Sequence, residues 1–250
     1  MTSLQGKTFI TTGSAETSIS LATQLAETGA QVFTLPMICI SPIPINEEIF
    51  KTLQNLESYD WLMFTSKYGV KMFFKALLEV TNSYKLPNEM QIACVGKQTA
   101  ETLEHYEYSA IYVSSKNNGK DFAQELTDLL PSATRILFPT GNLTHDMIAL
   151  TVPQFIQIQK LLVYKTEAPE TFNSKICEKI IQNQYDRIIF TSPSGVTNFV
   201  EIFRRTIDIR DLRVVSIGPT TTERLNSFAI KDIIQAKEYN AQGIIDAIVD

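Results

Sequence analysis

The chain has 250 residues, of which 44% are hydrophobic and 20% charged, with a net charge of −5. That length suits two compact domains, each with its own core, while the acidic balance and the lack of any long basic run exclude nucleic acid as the main partner. No apolar run exceeds strand length, no apolar leader opens the chain, and Cys39, Cys94 and Cys177 are too scattered for a disulfide framework, so no membrane span and a cytoplasmic location are expected.

Periodicity predicts a strand over 7–12, a helix closed by Gly29, and a strand from Gln31 to Leu35 that runs on through Pro36 to Ile40. Pro42 and Pro44 then mark a crossing between domains. Strands at 61–65, 91–95, 110–114 and 135–139 alternate with helices at 68–79, 98–106 and 121–130, the last carrying Phe122, Leu126, Leu129 and Leu130 on one face. Phe155 to Tyr164 reads as a long extended segment returning beside residues 33–40. Helices near 171–183, at 194–205, 220–228 and 242–249 then alternate with strands at 187–191, 213–217 and 232–236. Such alternation predicts right-handed crossovers and parallel sheets covered on both faces.

The pattern is duplicated. Phe64-Thr65-Ser66-Lys67-Tyr68-Gly69-Val70 and Phe190-Thr191-Ser192-Pro193-Ser194-Gly195-Val196 both read F-T-S-x-x-G-V. Each precedes an apolar stripe at helical spacing, Val70, Phe73, Phe74 and Leu77 in one and Val196, Phe199, Val200 and Phe203 in the other. Ala93-Cys-Val-Gly96 likewise answers Val215-Ser-Ile-Gly218, and Phe138-Pro-Thr-Gly141 answers Ile10-Thr-Thr-Gly13. In this last pair one copy closes its set while the other stands ahead of everything. The order implies a domain of residues 38–164 inserted into another made of 1–37 and 165–250, with connecting strands near 33–44 and 155–166.

Ligands of parallel sheets bind at the strands' C-terminal ends. The repeated polar turns fall there, just where helices begin and unpaired amides and the helix dipole favour anions. The binding candidates are Thr12, Gly13 and Ser14; Thr65, Ser66 and Lys67; Gly96, Lys97, Gln98 and Thr99; Gly141 and Asn142; Ser192, Ser194 and Gly195; and Gly218, Pro219, Thr220 and Thr221. If the two edges face one another they line a cleft between domains, with Lys67, Lys97, Lys116 and Lys120 at its rim. The competing reading makes these serines and threonines ordinary caps, Thr220 with Glu223 even having capping-box spacing, and the lysines solvated. Cys94 reads as a small core residue. With only His105 and His145, no metal-ligand spacing stands out and no metal or other cofactor is expected.

Several chemistries are excluded. The chain has no G-x-G-x-x-G turn, no G-x-x-x-x-G-K-[ST] loop and no G-x-S-x-G elbow. Asp60 and Asp186 fall at strand beginnings, the wrong edge for a phosphoacceptor.

The succession F-T-S-x-x-G-V, V-G-x-x-T, Leu162-Val-Tyr164-Lys-Thr166, F-T-S-P-S-G-V and I-G-P-T-T resembles the uroporphyrinogen-III synthase family over nearly the whole chain. The resemblance implies two flavodoxin-like parallel-sheet α/β domains joined by a two-stranded linker, with the active site in the cleft. It implies a lyase that cyclises hydroxymethylbilane, a linear tetrapyrrole, with loss of water. Ring A would lose its hydroxyl to give an azafulvene, and ring D would attack through its substituted carbon. The resulting spiro-pyrrolenine fragments and recloses with ring D inverted, whereas uncatalysed closure gives the uninverted isomer. By position, Tyr164 would be the acid that helps the hydroxyl leave, Thr99 and Thr220 would bind substrate, and Ser66, Ser192 and Ser194 would be the serines of the strand-end turns. The competing reading of Tyr164 is a hinge aromatic. The sequence departs at Thr140, where family members often carry a basic residue, which removes a side-chain salt bridge there. A transient contact with hydroxymethylbilane synthase and a monomeric state are further expectations. The alternative function is a non-catalytic two-domain binder of anionic small molecules.

Overall fold

The computed structural model describes residues 4–114, 122, 124, 125, 127, 130, 133–144, 151–153 and 155–249. In chain order the elements are β1 (Thr8–Thr11), α1 (Ala15–Ala26), β2 (Gln31–Thr34), β3 (Cys39–Pro42), α2 (Glu47–Gln54), β4 (Trp61–Phe64), α3 (Lys67–Thr81), β5 (Gln91–Val95), α4 (Lys97–Glu104), β6 (Tyr112–Ser114), β7 (Arg135–Gly141) and β8 (Gln157–Glu167). After them come α5 (Ser174–Ile181), β9 (Arg187–Phe190), α6 (Pro193–Phe203), β10 (Arg213–Ser216), α7 (Pro219–Ser227), β11 (Asp232–Gln235) and α8 (Ala241–Val249). Two compact units result: Met1–Cys39 with Glu167–Asp250, and Ile40–Thr166.

The first unit holds a parallel sheet in the order β11-β10-β9-β1-β2. Numbered along the chain, that is the 2-1-3-4-5 order of flavodoxin-like sheets. The second unit holds the order β3-β8-β7-β4-β5-β6, parallel from β8 to β6. It reproduces 2-1-3-4-5 only when β7 and β8 are counted first, so this unit is a permuted copy with β3 added at its edge.

The copies share packing as well as topology. Phe64 and Phe73 meet edge-on at 5.6 Å, and their equivalents Phe190 and Phe199 at 5.3 Å. All four rings are fully buried, and each pair adds roughly 1 kcal/mol beyond its buried area. The strand beginnings share a clamp too. Asp60 accepts the Arg135 amide at 2.7 Å and Asp186 accepts that of Thr8 at 2.8 Å, each tying strand 3 to strand 1.

Three expectations need correction. The strand predicted from Gln31 to Ile40 is two, because β2 ends at Thr34, before Pro36, which lacks an amide hydrogen. Leu35 and Met37 still donate to the Thr11 and Thr12 carbonyls, at 2.9 and 3.1 Å. The extended segment runs over 157–167, beside β7 and β3 rather than beside residues 33–38. Helix α2 follows the proline pair and was not predicted; Asn46 caps it, and Ile49, Thr52 and Leu53 form its buried face. Of the helix predicted at 121–130, Phe122 and Leu130 are buried, while Leu126 and Leu129 lie outside the described residues.

Candidate active site

The reversal of strand order in each sheet falls between its first and third strands, where flavodoxin-like folds bind ligands. In the first unit this point joins the end of β1 to the start of α6. Gly195 fits beneath the Thr12 carbonyl, 3.3 Å from where a Cβ would stand, and a Cβ on Gly13 would lie 2.6 Å from Thr191 Oγ1. In the second unit, Gly69 fits beneath the Pro139 carbonyl in the same way, at 3.1 Å. The glycine of F-T-S-x-x-G-V therefore serves close approach of a helix to the neighbouring strand.

The serines of these turns are caps. Ser66 Oγ accepts the Gly69 amide at 3.0 Å, Ser192 Oγ that of Gly195 at 3.1 Å, and Ser14 Oγ that of Thr17 at 3.3 Å. Ser194 Oγ stands 3.3 Å from Ser192 Oγ. Thr12 is fully buried and donates to the Ile189 carbonyl at 2.8 Å. Asn142 accepts the Thr166 amide at 2.8 Å and donates to its carbonyl at 3.3 Å, extending the β7–β8 ladder. Thr65 is half-buried at the end of β4.

The other two turns differ. Helices α4 and α7 have glycine caps, Gly96 and Gly218, with no side-chain cap hydrogen bond. The Thr99 and Thr221 amides donate to the Gly96 and Gly218 carbonyls at 3.2 and 3.1 Å and Pro219 has no amide hydrogen, so the anion-receptive first-turn amides are those of Lys97, Gln98 and Thr220. With the cap at Gly218 and Pro219 in the first turn, the capping box expected of Thr220 and Glu223 does not form. Both turns repeat one burial pattern: Lys97 and Gln98 are exposed as are Pro219 and Thr220, whereas Thr99 and Thr221 are buried at 5% and 2% exposure. Thr220 is thus open to solvent and Thr99 is not. Lys97 is exposed and pairs with Glu101 at 3.4 Å; Lys67 Nζ lies 5.2 Å from the Tyr68 ring centre. Lys116 and Lys120 lie outside the described residues.

Tyr164 breaks the symmetry between the copies. A register shift between Thr140 and Gly141 aligns Tyr164, rather than Val163, with Gly141. Both Val163 and Tyr164 are consequently buried against the same core cluster. The phenol is 9% exposed and its oxygen lies 3.1 Å from Ser66 Oγ. The Tyr68 ring sits beside it, centres 6.3 Å apart, a neighbour that sequence reasoning left unassigned. Burial raises the phenol's pKa, the Ser66 hydrogen bond opposes the rise, and Tyr68 adds to it, so Tyr164 carries its proton at neutral pH. In the first unit the corresponding stretch is Leu35-Pro36-Met37-Ile38, with Met37 buried and no phenol. Among the described residues, a buried phenol therefore stands at the switch point of the second unit and not at that of the first.

Two further side chains bear on the site. Thr140 is 2% exposed, and its hydroxyl has no partner among the described residues. Cys94 is fully buried, and burial pushes its thiol up to about 12, which leaves it an inert core group.

The sequence profile described as Uroporphyrinogen-III synthase HemD matches residues 19–246. The chain belongs to the uroporphyrinogen-III synthase family. It is 24% identical over 248 residues to the porphyrin biosynthesis protein HemD of Ruminiclostridium josui, covering 99% of this chain and 48% of that protein. The chain thus spans about half the length of that relative. A uroporphyrinogen-III synthase of Synechococcus elongatus is 27% identical, over 98% of this chain and 95% of its own. Among solved structures, the uroporphyrinogen-III synthetase of Helicobacter pylori superposes with a TM-score of 0.64 at 17% identity, covering 97% of this chain and 98% of that one. At that identity the likeness speaks for the fold: the family's two-domain α/β architecture. No helix among the described residues is long and apolar enough to cross a membrane.

Proposed function

We propose that this chain is a lyase that cyclises hydroxymethylbilane to uroporphyrinogen III. Membership of the family supports the reaction, and the buried Tyr164 phenol, seated on Gly141 and hydrogen-bonded to Ser66, is the observation that carries the mechanism. The phenol protonates the ring A hydroxyl, which leaves as water, and the resulting phenolate balances the azafulvenium charge. Ring D attacks through its substituted carbon. The spiro intermediate fragments and recloses with ring D inverted, and the proton lost as the last pyrrole regains aromaticity returns to Tyr164. Water loss is thereby the net change.

The substrate carries an acetate and a propionate on every pyrrole, and the glycine-capped first turns of α4 and α7, with Thr220 exposed, suit those anions. Ser66, Ser192 and Ser14, already engaged as caps, shape their turns rather than grip carboxylates. Spontaneous closure of the substrate to the uninverted isomer favours its uptake by transient contact with hydroxymethylbilane synthase. A cytoplasmic monomer is the working assembly.

The test is to supply freshly generated hydroxymethylbilane, oxidise the products and separate the type I and type III isomers. Predominantly type III product is expected. Type I alone, at the uncatalysed rate, would replace this reading with that of a non-catalytic binder.

A further inference from the structure

Tyr239 belongs to none of the repeated turns. It lies in the turn after β11, which runs beside the turn after β10: Ala236 donates its amide to the Ser216 carbonyl at 2.9 Å. Two contacts fix this turn. Asn240 Oδ1 accepts the Gly243 amide at 2.8 Å and so starts α8, and Gly243 admits the Glu238 carbonyl to a space that any Cβ would fill. Between these anchors the Tyr239 ring is laid on Gly218, where an added Cβ would stand 2.9 Å from Cδ1 and 3.3 Å from Cε1.

The ring is nevertheless 49% exposed and is no member of the apolar cluster beneath α8. A lone exposed aromatic is unremarkable in itself. Here, however, the ring lies between those two anchors, one side of it rests on a glycine, and it is half exposed beyond a strand C-terminal end. Next to it begins α7, whose glycine cap makes no side-chain hydrogen bond; Pro219 has no amide hydrogen and the Thr221 amide donates to the Gly218 carbonyl at 3.1 Å, which leaves the exposed Thr220 as the first-turn residue that offers an amide and a hydroxyl. An open π-face beside an anion-receptive turn is complementary to an aromatic ring that bears carboxylates.

We propose that Tyr239 is a substrate-binding residue: its open side packs on one pyrrole of the tetrapyrrole while that pyrrole's carboxylate is held at the first turn of α7. The proposal rests on the function given above. Because the ring is already in place before binding, the contact needs little further ordering.

The full chain and its Tyr239→Phe, Tyr239→Trp and Tyr239→Leu variants would be compared in two ways. One is turnover of hydroxymethylbilane with isomer separation; the other is anaerobic titration with uroporphyrinogen III. Leucine keeps an apolar cover over Gly218 but has no π-face. Tyr239→Leu should raise KM and the product Kd roughly three- to ten-fold, with kcat within about two-fold, and Phe and Trp should keep wild-type affinity. An unchanged Kd in Tyr239→Leu, or equal losses in the Phe and Leu variants, would overturn it. The titration does not require turnover, so an inactive wild type would refute the proposed function while the affinity series still judged Tyr239.

Discussion

Gly141 and Tyr164 compete for one space. A Cβ added to Gly141 would stand 2.5 Å from Cζ and 2.9 Å from the hydroxyl oxygen of Tyr164. The phenol reaches Ser66 only because β7 has no side chain at that point, and it faces Gly141 only because of the register shift before it. Gly141→Ala should therefore act as a displacement of Tyr164. The expected result is a stability loss of roughly 1–3 kcal/mol from overpacking and a fall in kcat of about ten- to a hundred-fold. Chemical unfolding and steady-state turnover on the same preparation check it; wild-type kcat would show that the phenol's position is unimportant.

Removing the proton while keeping the ring isolates the acid. Tyr164→Phe should lower kcat about a hundred-fold, at the low end for general acids because the substrate hydroxyl also ionises unaided. Affinity for uroporphyrinogen III should hardly change. A loss of affinity with kcat intact would reverse the assignment.

The pH dependence follows from the direction of the Tyr164 shift. Its folded pKa lies above the ordinary phenol value because of burial, so the acid stays protonated below about pH 10. Turnover should show no decline assignable to this group up to that pH. The same shift contributes stability that is complete below the ordinary phenol value and lost as pH rises through the folded one. Unfolding of wild type and Tyr164→Phe, compared at pH 8 and above pH 10, should show wild type losing more.

Ser66 and Ser192 cap equivalent helices, but only Ser66 also meets a phenol. Ser66→Ala and Ser192→Ala should each cost about 1 kcal/mol of stability. Only Ser66→Ala should also raise the Tyr164 pKa further, since its hydrogen bond lowers it. Spectrophotometric titration of the tyrosines in both variants checks this, and identical curves would count against the Ser66–Tyr164 bond.

Much of this was legible in the sequence, for physical reasons. The doubled F-T-S-x-x-G-V and the misplaced Ile10-Thr-Thr-Gly13 copy reveal a permuted repeat because packing a helix on a parallel strand demands the same glycine and the same apolar stripe each time. That Ser66 meets a phenol and Ser192 does not was not legible, since both stand in the same F-T-S-x-x-G-V frame and the phenol comes from Tyr164, far along the chain. The register shift at Gly141 depends on a partner strand and leaves no local trace. Tyr239 escaped for a similar reason: only the fold brings it to Gly218. Helix α2 was hidden by Pro42 and Pro44, although Asn46, Ile49 and Leu53 carry its cap and its stripe.

Asp186 offers a control at the opposite edge of the sheet from the polar turns. Its carboxylate accepts the Thr8 amide and pairs with Lys7 at 2.9 Å. Burial alone would raise its pKa, but the Thr8 amide, the Lys7 ammonium and the Arg213 guanidinium together hold it below the ordinary value. A depressed carboxylate stabilises the fold above its unfolded pKa of about 4, and that contribution disappears as pH falls through the lower, folded value. Asp186→Ala should thus lose roughly 1–2 kcal/mol at pH 7, with the difference from wild type shrinking as pH falls below about 4. Its kcat should be unchanged, because the residue clamps strand beginnings and lies far along β9 from the turn at Ser192. Urea unfolding at pH 7 and pH 3, read beside turnover at pH 7, distinguishes the outcomes: a variant as stable as wild type at pH 7 would show that the clamp contributes nothing, and a variant with impaired turnover would show that the two edges of the sheet are coupled.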